Sequence, residues 1–244
     1  SARGIATENS DIEMNLWLHQ LPDLSERLAW LQSLDIEYIE AQQQARPDNS
    51  IWITGIYKGI ELEIGWQTFA DLDSALTMLI EARTTDHKAL RLAELILSAK
   101  ALRGSVALEN WQNRLKNYPP ELADKLITVA LTDWIGQDWL ENHLAIQNYS
   151  EDIHRVWRLL FAINHQWEMN WKYAHHSLAS LHHYPKFIPN KIWDIQHSSP
   201  HNATKSLLDL MIETLQIVKL NTNHTRQINE ILHSCNKYLA QISA

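Results

Sequence analysis

A single cysteine, Cys235, excludes an internal disulfide and offers no metal-thiolate pattern, which suits a reducing compartment. No apolar run reaches the roughly 18 residues that a bilayer-spanning helix needs, and no charged-then-apolar leader opens the chain. A membrane partner is therefore not expected, and a cytoplasmic location is. The Asn-x-Thr sequons at Asn202 and Asn223 would matter only in a secreted protein. Neither of the glycine patterns that cradle phosphates, GxGxxG and GxxxxGK, is present, nor is any repeat or low-complexity segment. Basic residues are outnumbered, with 21 Lys and Arg against 29 Asp and Glu. The resulting charge of -8 disfavours nucleic-acid backbones as the main partner and favours small or proteinaceous ones.

What is there is enough for a core. The 244 residues are 45% hydrophobic, sufficient for one large domain or two ordinary ones. Up to about residue 80 the pattern changes every few positions. Residues 11–18 alternate as a strand, and LPDLSERLAWLQSLDIEYIEAQ spaces its leucines as a helix beginning near Pro22. IWITGIY and IELEIGW, separated by Lys58-Gly59, predict a hairpin. Beyond residue 70 the spacing is helical almost throughout. A long helix is expected from Ser150 to about His183, another starts at Pro119-Pro120, and Pro185 and Pro189 are expected to break the chain. The fold class expected is α+β: a small mixed-sheet domain over 1–80, a helical connector over 81–104 and an α-helical domain over 105–244. The 11 tryptophans are expected to build the helical core, with Trp66 or Trp167 as candidates to stack on a base or acceptor ring.

Chemistry is concentrated in acids. Strand alternation places Asp11 and Glu13 on one face about 7 Å apart, where they repel unless a cation lies between them. In the hairpin, Glu61 and Glu63 again share a face, opposite Leu62 and Ile64.

Ser1-Ala2-Arg3-Gly4 followed by Ser10-Asp11-Ile12-Glu13 resembles the Gly-Ser…Asp-x-(Asp/Glu) signature of the polymerase-β-like nucleotidyltransferases. The segment Ser10 to Met14 is especially similar to that of the small antibiotic-modifying members, of the kanamycin nucleotidyltransferase type. The resemblance implies a nucleotidyltransferase domain whose motif glycine, with the helix that presents it, precedes Ser1 and is missing from this sequence. It implies two magnesium ions, held by Asp11, Glu13 and a third acid, and a nucleoside triphosphate as substrate. Glu63 takes the third place by its hydrophobic-acid-hydrophobic setting, with Glu61 as the fallback. The activity implied is transfer of a nucleoside monophosphate, AMP by preference, to a hydroxyl of a small molecule or protein, with release of pyrophosphate. Ser1, Arg3 and Ser10 would meet the phosphates, and Lys172 could reach them from the helical half. That half, through LLFAINHQWEMNWKYAHHSL and Asn-Tyr-Pro at 117–119, is more loosely similar to an uncharacterised bacterial family that carries such a domain.

Other patterns carry rival readings. Arg158 and His165 mimic the Arg-x4-6-His spacing of RNA-cleaving toxins, which would make the chain a toxin-antitoxin module. His175, His176, His182 and His183 repeat at a spacing that leaves like positions about 10 Å apart, too far to share one zinc ion without other ligands. A degenerate, noncatalytic nucleotide-binding domain is the third possibility.

Overall fold

The computed structural model describes residues 11–41, 50–81, 84–135, 149–169, 178 and 181–242. The fold is α+β, with one four-stranded mixed sheet and, among the described residues, nine helices. The chain divides into two compact units. One comprises the described residues of Ser1–Ala82 and Leu95–Leu115, the other those of Arg83–Glu94 and Lys116–Ala244.

In the first unit, β1 (Ile12–Leu18) is followed by α1 (Leu24–Ser33), β2 (Glu37–Ala41), β3 (Ile51–Tyr57), β4 (Ile60–Thr68) and α2 (Phe69–Ile80). The sheet order is β1-β4-β3-β2, with β1 parallel to β4 and the other pairs antiparallel. Lys58 and Gly59 both have positive φ, 51° and 80°, the geometry of a tight hairpin turn whose twist matches the strands. Period-two alternation then sorts the faces. Ile53, Leu62, Ile64 and Trp66 form a buried cluster with Leu31 and Ile36, and Met14, Leu16 and Leu18 pack against it. The opposite face receives Glu13, Asn15 and Trp17 from β1, Glu61, Glu63, Gly65 and Gln67 from β4, and Trp52 and Thr54 from β3.

The helix expected to run from Pro22 through Gln42 is two elements. Asp23 caps α1 and shares a reciprocal capping box with Glu26, so the helix begins at Leu24. It ends by Leu34, Asp35 turns the chain at φ 55°, and the β-favouring Tyr38 and Ile39 follow in β2, which pairs with β3. Leucine spacing alone carried the helix reading too far.

The first unit also contains α4 (Ser105–Leu115), placed at sequence level with the helical domain. The physical reason is Trp111. Its ring meets Trp17 edge-on at 5.3 Å and Phe69 at 5.6 Å, and its indole N–H donates to Asp73 at 3.3 Å. Arg114 adds bonds to Asp73 and Thr77. The helix α3 (His87–Ser98) spans the division.

The second unit is built on α5 (Pro120–Thr132), α6 (Tyr149–Ile163), α7 (Ile188–His197), α8 (Pro200–Asn221) and α9 (Thr225–Ile242). The helix α8 packs on α6, α7 and α9, burying Ala203, Leu207, Met211, Leu215 and Val218 at helical spacing. Pro189 does not break the chain. It lies in the first turn of α7, where its missing N–H costs nothing. The expected long helix from Ser150 ends at Ile163, because Asn164 and a left-handed His165 (φ 51°) turn the chain. The Asn164 carboxamide accepts from the backbone N–H groups of His182 and His183 and donates to the His183 carbonyl, tying that turn to a later loop. No helix among the described residues is long and apolar enough to cross a membrane.

Candidate metal centre

The acids meet because β1 and β4 run in parallel and in register. Ile12 pairs with Leu62 and Glu13 with Glu63, so Glu13 and Glu63 stand side by side on one face and Asp11 lies just before the strand on the same side. One carboxylate oxygen from each of Asp11, Glu13 and Glu63 lies within 4.8 Å of the others. Asp11 and Glu13 are exposed and Glu63 is half-buried. Among the described residues this is the one group of three or more His, Cys, Asp or Glu side chains placed to hold a metal ion.

The donor set is all oxygen and fully anionic, the chemistry that suits magnesium or calcium and not a soft metal. Opposite oxygens around such an ion are separated by about 4–5 Å, twice a metal–oxygen distance of about 2.0–2.6 Å, so the observed spacing fits. Three carboxylates held this close without a cation repel one another. Glu61 is exposed on the same face and is not part of the group.

Of the other expected contributors, some lie outside the described residues and others are in the core. Ser1, Arg3, Ser10 and Lys172 lie outside the described residues, as do His175 and His176. Trp66 is only 2% exposed and Trp167 only 7%, so both are core residues and neither offers a stacking face to a ligand. Nor do the tryptophans belong to the helical unit alone, since Trp17, Trp30, Trp52, Trp66 and Trp111 are in the first unit. In the second unit Arg158 reaches the buried Glu168 at 3.4 Å, and His165 stacks on Tyr118 with ring centroids 5.9 Å apart. Burial pushes the Glu168 carboxyl up, against the pull of Arg158, His154 and Arg91.

Sequence reasoning missed three neighbours of the acids. Thr54 is the β3 partner of Glu63, and Asn15 and Trp52 flank Gly65 in the next row. Alternation would have put Asn15 on the acid face, but the register that aligns β3 with β4 had to be seen.

No family model, curated protein or solved structure matches this chain.

Proposed function

We propose that the chain is a magnesium-dependent nucleotidyltransferase that moves a nucleoside monophosphate, AMP by preference, from a nucleoside triphosphate to a hydroxyl. One observation carries the reading: carboxylate oxygens of Asp11, Glu13 and Glu63, on or just before two neighbouring parallel strands, lie within 4.8 Å of one another. Asp11 and Glu13 would hold the ion that accompanies the nucleotide. Asp11 and Glu63 would hold the one on the acceptor side. Bound there, the ions supply positive charge to the attacking and leaving oxygens of an in-line displacement.

The balance of the reaction is simple. The acceptor oxygen bonds to the α-phosphorus, the bond from that phosphorus to the bridging oxygen breaks, pyrophosphate leaves, and the hydroxyl proton passes to solvent. The chain's own contribution is placement. The paired strands fix the backbone of Glu13 beside that of Glu63, so both side chains leave one face from adjacent positions. The resemblance of Ser10–Met14 to the superfamily signature supports the same reading.

The test is incubation of the protein with each α-phosphate-labelled nucleoside triphosphate, magnesium and a panel of hydroxyl acceptors. Label should pass to an acceptor and pyrophosphate should appear. Asp11→Asn should abolish both. Absence of transfer with every nucleotide and every acceptor would overturn the proposal.

A further inference from the structure

The sheet order leaves β2 at an edge, and among the described residues no strand pairs with its outer side. An edge of this kind presents unpaired backbone N–H and C=O groups, a template for a further strand unless it is covered or blunted. Glu37, Tyr38, Ile39 and Glu40 are all exposed, Tyr38 at 53% and Ile39 at 57%. What blunts this edge is charge of one sign. Glu37 pairs through Ile56 with Glu61, and Glu40 through Thr54 with Glu63, so the irregularity between Tyr38 and Glu40 puts both glutamates on the acid-bearing face. Tyr38 pairs with Gly55, the partner of Leu62, and stands on the opposite face. Among the described residues, the carboxylates of Glu37 and Glu40 make no hydrogen bond or ion pair. Across the described residues from Asp35 to Thr68 the acids are Asp35, Glu37, Glu40, Glu61 and Glu63, and Lys58 is the one base.

We propose that β2 is a docking edge for a basic, extended segment of another polypeptide, which adds to the four-stranded sheet beside it. The inference rests on the sheet and is independent of the nucleotidyl-transfer reading. In strand addition the main-chain ladder supplies affinity, and side chains on alternate positions supply selectivity. The added strand lies about 4.8 Å from β2, so its side chains stand opposite those of β2 on each face. Lysine or arginine on one face meets Glu37 and Glu40, and an aliphatic side chain on the other meets Tyr38. The same two glutamates decide against a second copy of this chain, since pairing β2 with β2 sets like charges against one another. They thus reject the chain itself while admitting a cationic partner, which is how one charge pattern can give selectivity. The net charge of -8 adds a longer-range attraction of the same sign.

Fluorescence anisotropy on the whole chain tests this with three dye-labelled peptides: acetyl-Lys-Val-Lys-Val-Lys-Val-Lys-amide, its counterpart with Glu for Lys, and its counterpart with Pro for Val. The proline peptide keeps every charge but loses alternate N–H donors, so it cannot complete a ladder. The Lys-Val peptide should bind, the acidic one should not, and the proline one should bind about tenfold more weakly or less. Glu37→Gln combined with Glu40→Gln should weaken Lys-Val binding by roughly three- to tenfold, the worth of two cross-strand charge pairs. Both glutamates are exposed, so this variant should keep the urea midpoint of the unsubstituted protein. Hydrogen exchange then locates the contact: amides of β2 should gain protection with peptide bound, while those of β1, the other edge of the sheet, should not. Equal binding of the proline peptide would reduce the contact to charge alone and overturn the proposal. So would binding that ignores the two glutamates, protection gained at β1 in place of β2, or no binding of the Lys-Val peptide. Sedimentation showing that the chain self-associates, and that Tyr38→Lys abolishes this, would put a second copy on the edge and overturn it as well.

Discussion

At the scale of single residues, the candidate centre is a balance between three like charges and the paired strands that bring them together. Asp11 and Glu13 were legible because two acids either side of one isoleucine must share a strand face, and Glu63 because it repeats the pattern beyond a glycine turn. Asn15 follows from the same alternation along β1, but Trp52 and Thr54 were not legible, since nothing in one strand says which residue of another it will face. The balance makes a prediction. Asp11→Asn removes one of three like charges within 4.8 Å, so without metal its melting temperature should hold or rise. Magnesium should raise the melting temperature of the unsubstituted protein and do so far less for the variant, because ligand-linked stabilisation follows affinity for the folded state. Equal shifts in differential scanning fluorimetry would rule out a shared ion at these residues.

Glu168 permits a second residue-scale prediction, on pH. Burial raises its pKa above the ordinary 4.5, so the folded chain binds this proton more tightly than the unfolded chain does. Between 4.5 and the raised folded value the native state carries more protons, and stability falls as pH rises; above that window the contribution is flat. Glu168→Gln should remove this part of the decline. Urea midpoints measured from pH 4.5 upward would show it as a shallower slope in the variant. Parallel slopes would mean that Glu168 ionises as freely in the fold as outside it.

At the scale of elements, what could be read depended on whether local chemistry and spacing agreed. The β3–β4 hairpin was legible since Lys58-Gly59 supplies the turn and both flanks favour strands. Beyond α1 they disagreed: Leu34 continues the leucine spacing, but Asp35 adopts a left-handed turn and β2 gains its stability from pairing with β3, a tertiary term no local pattern contains. The turn itself can be tested. Gly59 has φ 80° with open space where a Cβ would stand, so Gly59→Ala adds no clash and isolates the cost of forcing a side chain into that conformation, about 1–2 kcal/mol. Denaturant unfolding should show that loss with an unchanged slope. Gly65→Val, by contrast, should cost more than conformation alone explains, because its branch would meet Asn15 and Trp52.

At the scale of the whole chain, the division into units departs from sequence order, and Trp111 is the reason. It is 4% exposed and joins Trp17, Phe69 and Asp73, so α4 belongs with the sheet although its neighbours in sequence on the C-terminal side belong to the helices. An amphipathic helix announces that it will bury one face, but not against what; the partner is chosen by aromatic surface that the strand β1 turns outward on its acid-bearing side. Trp111→Ala removes one of the largest buried side chains of this unit and should cost it about 3–5 kcal/mol. Hydrogen exchange, read segment by segment, assigns the loss. Amides of β1, β4 and α2 should exchange faster in the variant, while those of α8 and α9 serve as the internal reference and keep their protection. If the protection lost is instead that of α8 and α9, α4 takes its stability from the helical unit, and the boundary near residue 105 read from spacing alone is the better description.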